Sequence, residues 1–369
     1  MTTAVSPDLA VIGGGVVGAA CARAAVLRGL STVLYEPGPD PAAASPASAG
    51  MLAAQIEPDD EALLALAIRG RETYEPLAAA LKDTTGLDVG FWREGIASVA
   101  FDEAGVERLR GMAAWQRQMG LSCRWLDAAE AREAWPALSP DALGALLAAE
   151  DGAIDAPVLT RALRADGERL GVQTRHDRVV GITLHEGRVN AIVTERGDVP
   201  VRAVIVAAGA WSARLTGLPR ALPVEPVRGQ LALAAWPAGT PPAILYFNHA
   251  YVLARGGKAI IGSTMERVGF DASVTPAGTA ALREGAARLF PRLAHQPFER
   301  TWAGLRPLTP DGRPILGPDP EVGGLWYAVG HGRNGILLAA LTGDVISDLI
   351  VGKELDFDLR PFLIDRFSP

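Results

Sequence analysis

Three glycines and one acid carry the most legible chemistry in this chain of 369 residues. Gly13, Gly15 and Gly18 fit the spacing G-x-G-x-x-G, and Glu36 follows at about the distance where a dinucleotide fold places its ribose-binding acid. Each residue type has a job. Gly13 permits a tight turn, Gly15 lets backbone N–H groups approach a pyrophosphate, and Gly18 lets a helix pack close to a strand. A helix starting there, through Val16 and Val17, offers unpaired donors and the positive end of its dipole to that anion. Glu36 would accept hydrogen bonds from the 2′- and 3′-hydroxyls of an adenosine ribose, and its charge would repel a 2′-phosphate. An ordinary Gly-rich turn is the plain alternative, yet such a turn needs neither flanking strands nor an acid. The residues point to a ligand with an ADP moiety.

Elements must hold these groups in place. Leu9–Ile12 reads as a buried parallel strand, followed by an Ala-rich helix to about Arg28 that Gly29 stops, and by a strand from Thr32 to Tyr35. A second apolar strand, Val204–Val206, runs into the small residues Ala207 to Ala210 and then a helix, and would bring Ala208 and Gly209 near the nucleotide. A third, Leu325–Val329, ends in Gly330-His331-Gly332-Arg333-Asn334-Gly335 and enters a helix with Leu337, Leu341, Val345 and Leu349 on one face.

Segments of another kind lie between them. Residues from Asp59 to Thr85 are helical by periodicity. Val89–Trp92 and Ile96–Phe101 look like a hairpin joined near Glu94-Gly95, and a helix from about Glu103 to Gln118 follows. Arg124-Trp125 is strand-like, Ala128 to Ala134 helical, and Gly144 to Asp155 a strand. Pro157 opens a helix to Leu170, and Val172 to Val199 reads as a β-meander with turns at Glu186-Gly187 and Gly197-Asp198. Strands are expected at Arg228–Leu233, Ile244–Phe247, Tyr251–Ala254 and Ala259–Gly262, then a helix from Pro276 to about Phe290. The small residues from Ser45 to Gln55 fit either a loop and helix start passing a flat ring or a flexible linker. The economical architecture is α/β: one discontinuous Rossmann-like nucleotide domain (1–85, 145–217 and 300–369) and an α+β domain built from two insertions (86–144 and 218–299).

Composition narrows the function. Apolar residues make up 49% and charged residues 21%, ordinary for a globular chain with a sizeable core. A net charge of −7 without any basic run argues against a nucleic-acid groove. Two cysteines, Cys21 and Cys123, are too few for a disulfide framework or a metal cluster, and His176, His185, His249 and His295 lack ligand spacing, so no metal is expected. No apolar run reaches membrane-spanning length, and the first strand follows the N-terminus too closely for a signal peptide. A soluble cytoplasmic protein is the expectation.

Six motifs together make the chain resemble the D-amino-acid-oxidase-like family of FAD enzymes, most closely the glycine oxidases of thiamine biosynthesis. They are Gly13–Gly18, Ser48–Gln55, Pro226–Gln230, Trp302–Pro307, Asp311–Gly317 and Gly330–Ala339. The resemblance spans essentially the whole chain. It implies a glutathione-reductase-like FAD-binding domain beside a substrate domain with a mixed or antiparallel sheet. It implies flavin contacts at Ser48, Ala49, Gly50, Met51 and Leu52, at Val179, Ala208, Gly209 and Trp211, and at Arg306 and His331 to Ile336. The helix starting near Asn334 and Gly335 would aim its N-terminus at the flavin pyrimidine edge, where reduction places negative charge. Covalent attachment is not expected, because related sarcosine oxidases use a cysteine near the region matching Trp302–Asp311 and this segment has none.

The substrate end implied by the resemblance rests on Arg306, whose guanidinium would grip an amino-acid carboxylate bidentately. Tyr251 and Arg333 would stand nearby, and Met265 would shorten the pocket. His331 reads as structural, since hydride transfer from a neutral amine needs no base. The implied reaction is oxidation of glycine, sarcosine or D-alanine with O₂ reduced to H₂O₂, in a homotetramer. Two alternatives stand beside it: a D-amino-acid or sarcosine dehydrogenase with another acceptor, and a flavin-holding subunit without activity.

Overall fold

The computed structural model describes residues 7–56 and 60–367. Its first sheet has six strands in the order Ile315–Pro318, Leu325–Val329, Ala203–Val206, Leu9–Ile12, Thr32–Tyr35, Gln173–Arg175. All neighbours are parallel except the outermost pair, Ile315–Pro318 with Leu325–Val329. The three apolar strands expected from sequence thus lie side by side, with Leu9 opposite both Thr32 and Ala203. Helices Val16–Leu27, Ala156–Leu170 and Gly335–Ile350 pack together beside this sheet. Alanines and glycines let them approach closely: a Cβ at Gly343 would stand 2.6 Å from the Ala20 carbonyl oxygen. Asp155 caps the second of these helices by accepting from Val158 N–H at 3.0 Å, and Gly171 ends it at φ +111°.

The second sheet is mixed, as expected. Its eight strands run Arg300–Leu308, Glu225–Ala235, Lys258–Gly262, Ala250–Arg255, Ile244–Phe247, Ile96–Ala100, Gly144–Ala148, Arg124–Asp127. Only Ile244–Phe247 with Ile96–Ala100 pairs in parallel among them. Helix Pro276–Leu289 packs on this sheet over a core of its own. A separate three-stranded meander (Val179–His185, Arg188–Thr194, Gly197–Pro200) turns first at Glu186-Gly187, both at positive φ.

Several expectations need correction. The hairpin of Val89–Trp92 with Ile96 does not form: both edges of Ile96–Ala100 are taken by Gly144–Ala148 and Ile244–Phe247, and Trp92 bridges Ala153 instead. Gly144–Asp155 is two strands, because buried Asp151 turns aside to pair with Arg71 at 3.0 Å and accept from Gln55 N–H at 2.9 Å. The long helix after Asp59 is two, Glu61–Glu72 and Tyr74–Thr85: Pro76 has no N–H for the Glu72 carbonyl, and its predicted start at Asp59 lies outside the described residues. The second meander turn sits at Glu195-Arg196, since Thr194 already pairs with Gly197. Met51–Leu52 is a short strand paired with Gly152–Ala153 rather than a helix start. Gly144–Ala148 and Arg300–Leu308 both hydrogen-bond in the eight-stranded sheet.

Candidate active site

At one end of the site lies the glycine-rich turn between Leu9–Ile12 and Val16–Leu27. Gly13 adopts φ +101° and donates its N–H to Tyr35 O at 2.9 Å. A Cβ on Gly18 would collide with the Gly13 carbonyl oxygen, so this glycine sets the closeness of helix to strand rather than lining the cavity. Glu36 is already oriented by Gly14 N–H, which donates to its Oε2 at 2.7 Å. Two partners here escaped the sequence. Ser45 Oγ accepts from Val16 N–H at 2.9 Å, at the helix N-terminus where an anion would sit. Arg164 donates through Nε to Gly14 O at 2.7 Å and lies 3.6 Å from Glu36. No sequence rule links residues so far apart in the chain.

Between the two ends the wall is mostly backbone and small side chains. Gly50, at φ +83°, packs so closely on Ile154 that a Cβ would collide with its carbonyl oxygen, and it accepts from Ile154 N–H at 2.8 Å. Trp302 Nε1 donates to Ala47 O at 2.9 Å and Leu305 N–H to Ala42 O at 2.8 Å, so the strand bearing Arg306 also anchors this passage. Ser48, Ala49, Gly50 and Met51 line it. Leu52 does not: the alternation of its short strand turns it into the core.

The substrate end gathers side chains from three places. Arg306 donates through Nη2 to Ser263 Oγ at 2.6 Å and through Nη1 to Thr264 O at 3.1 Å. Its guanidinium lies over Gly229 of the neighbouring strand, where a Cβ would overlap it. Tyr251 pairs across its sheet with Gly262 and covers that glycine in the same way. Arg333 meets His249 Nδ1 at 2.6 Å and donates to the Tyr246 hydroxyl at 3.2 Å. From sequence, Tyr246 has no role and His249 none beyond lacking metal-ligand spacing; Tyr246 precedes, and His249 forms part of, a tight turn at Asn248-His249 that joins two paired strands. Burial, and then the Arg333 charge, hold the His249 pKa down. His331 is buried, with its Nε2 3.0 Å from Thr342 Oγ1, and burial lowers its pKa to about 3. Met265 is 41% exposed and stands outside the wall, because it follows the sheet edge into a surface segment.

One cavity of about 710 Å³ joins these parts. It is lined by Gly13, Gly15, Val16, Val17 and Glu36 at one end, and by Tyr251, Arg306 and Arg333 at the other. Val179, Ala208, Gly209 and Trp211 close one side. His331, Gly332, Asn334, Gly335 and Ile336 close another, where the Gly335–Ile350 helix begins. The residues fit a dinucleotide with a flat ring such as FAD: a glycine-rich turn at a helix N-terminus for phosphates, an acid for ribose, a side-chain-poor passage for the ring. Among the described residues, no cluster of three or more His, Cys, Asp or Glu could hold a metal ion, and no helix is long and apolar enough to cross a membrane.

The sequence model of a family described as FAD dependent oxidoreductase matches residues 8–349. A glycine oxidase of Geobacillus kaustophilus (strain HTA426) is 35% identical over 366 residues, covering 97% of this chain and 97% of that protein. A bifunctional ThiO/ThiG protein of Trichormus variabilis is 37% identical over 369 residues, which cover 98% of this chain but only 55% of that protein's length. The crystal structure of glycine oxidase from Geobacillus kaustophilus superposes with a TM-score of 0.93 at 34% identity, covering 98% of this chain and 99% of that one.

Proposed function

The chain belongs to the FAD dependent oxidoreductase family, and from that premise we propose that it is an amino-acid oxidase acting on glycine and similarly small amines such as sarcosine and D-alanine, with O₂ reduced to H₂O₂. The observation that carries this reading is the single cavity joining the Gly13–Glu36 nucleotide end to the Arg306, Tyr251 and Arg333 end. Likeness to the glycine oxidases supports the choice of substrate.

FAD, when bound, would supply the acceptor for the hydride, and so for the two electrons, leaving the substrate Cα; O₂ with two protons would take up those two electrons as H₂O₂. The chain's own part is binding and alignment. Arg306 grips the substrate carboxylate with its guanidinium fork, and Arg333 adds a second cation. Tyr251 supplies a hydroxyl beside them. Together they hold the Cα–H towards the passage lined by Ala49 to Met51. The amine reacts neutral, so its nitrogen lone pair forms the C=N bond as the hydride departs. His331, with its lowered pKa and Thr342 contact, orients the loop and moves no proton. The imine hydrolyses to glyoxylate and ammonia or passes to thiazole formation in thiamine biosynthesis, a role supported by the ThiO/ThiG relative's name. We assign a homotetramer by the same family likeness.

Anaerobic mixing of the holoenzyme with glycine, sarcosine, D-alanine and D-phenylalanine tests this directly. The first three should bleach the flavin and the fourth should do so poorly. Preference for bulky D-amino acids would overturn the glycine assignment, and reoxidation in air over minutes would replace oxidase by dehydrogenase.

A further inference from the structure

The Glu225–Ala235 strand divides the side chains of its Pro226–Gln230 run between two faces. Gly229 faces Arg306 and gives the guanidinium room. Arg228 and Gln230 point the other way, and both are buried. There they converge on Glu266. Arg228 Nη2 donates to Glu266 Oε2 at 2.5 Å, Gln230 Nε2 to Oε1 at 2.7 Å, and the Thr264 hydroxyl to Oε1 at 2.5 Å. Arg228 Nη1 also reaches Asp271 at 2.6 Å. Gln230 N–H donates to Thr264 Oγ1 at 2.9 Å, and Gln230 Oε1 accepts from Thr275 N–H at 2.8 Å. Burial works against the Glu266 charge, but the bonds from Thr264, Arg228 and Gln230 outweigh it and keep its pKa low. Polar bonds therefore fasten the segment after Gly262, while its apolar residues Met265, Val268 and Val274 are exposed.

The same segment supplies Ser263 Oγ and Thr264 O to the Arg306 guanidinium. We propose that Arg228, Gln230 and Glu266 are positioning residues, which hold the Ser263-Thr264 shelf where it sets the angle of Arg306 towards a substrate carboxylate. The inference rests on Arg306 as the carboxylate grip. Arg228 and Gln230 engage the Glu266 carboxylate on the far face of the strand from Gly229.

A double-mutant cycle on the holoenzyme tests the assignment. Glycolate, the hydroxy isostere of glycine, is titrated against flavin absorbance in the wild type, Glu266→Gln, Arg306→Ala and the double variant. Glu266→Gln should raise the glycolate Kd, and the KM for glycine, roughly tenfold with a smaller change in kcat. In the Arg306→Ala background the same substitution should change the glycolate Kd little. Equal effects in both backgrounds would overturn the positioning role. If Arg306→Ala alone leaves glycolate binding intact, the carboxylate grip itself is wrong, which is a separate failure. Should Glu266→Gln lose FAD, the cycle is run with Thr264→Val, which unlinks Glu266 from the shelf and keeps the Arg228–Glu266 pair.

Discussion

A guanidinium grips a carboxylate bidentately only when its plane is held in place. The Ser263 hydroxyl and the Thr264 carbonyl both accept from Arg306 and hold its fork. Truncation to Ala should raise KM through lost binding and lower kcat through lost alignment, so that kcat/KM for glycine falls roughly 10²–10⁴-fold. Arg306→Lys keeps the charge without the fork and should recover part of the loss. FAD content should stay near the wild-type level in both, and near-normal kcat/KM for Arg306→Ala would exclude this residue from the site. Gly229 offers an independent check from the other side of the contact. A Cβ there must push the guanidinium away, since it would otherwise overlap it. Gly229→Ala should therefore cost roughly 10–10²-fold in kcat/KM, an effect of misplacement alone. Steady-state kinetics beside a flavin:protein ratio would show it, and an unchanged KM would mean that the pocket reads the carboxylate elsewhere.

At the scale of elements, local patterns were legible and partners were not. The bounds of Leu9–Ile12, Thr32–Tyr35, Ile244–Phe247 and Leu325–Val329 follow from short apolar runs, and those of helix Ala128–Ala134 from the Asp127 cap and the Trp135-Pro136 stop. What failed was pairing: nothing in residues 89–101 says that Ile96–Ala100 takes strands from residues 144–148 and 244–247. The site shows the same split. Glycines and Glu36 were readable because one βαβ unit contains them, whereas Ser45, Arg164, Tyr246 and His249 arrive from elsewhere in the chain. The turn from Leu325–Val329 into Gly335–Ile350 carries a testable consequence. His331 has a pKa of about 3 because burial disfavours its charged form, against about 6.5 when unfolded. The unfolded chain therefore takes up a proton below pH 6.5 that the native chain refuses. Stability from this group is complete above pH 6.5 and is lost as pH falls towards 3, with a slope approaching about 1.4 kcal/mol per pH unit. Melting temperatures of the wild type and His331→Gln should thus converge from pH 6.5 to pH 4. A gap that stays constant would mean that the native histidine titrates normally.

At the scale of the molecule, the cavity draws its walls from both large sheets: Ile12 and Val329 from the six-stranded one, Gly229, Leu231, Tyr251 and Arg306 from the eight-stranded one. A ligand filling it bridges the two units, so cofactor binding and global stability are coupled. FAD bound to the native state and not to the unfolded chain adds RT ln(1 + [FAD]/Kd), about 2.7 kcal/mol at a hundredfold excess over Kd. The apoprotein should accordingly melt several degrees lower than the holoenzyme, and its melting temperature should climb with the logarithm of added FAD. FMN, which lacks the ADP moiety, leaves the Gly13–Glu36 end unfilled and should stabilise far less at equal concentration. Attachment should be non-covalent. Neither Cys21 nor Cys123 is among the lining residues, and the His331 Nε2 already meets Thr342. Acid precipitation of the purified protein should leave yellow FAD in the supernatant. Flavin retained in the pellet would refute the non-covalent reading, and equal stabilisation by FMN and FAD would show that the glycine-rich turn contributes nothing to holding the cofactor.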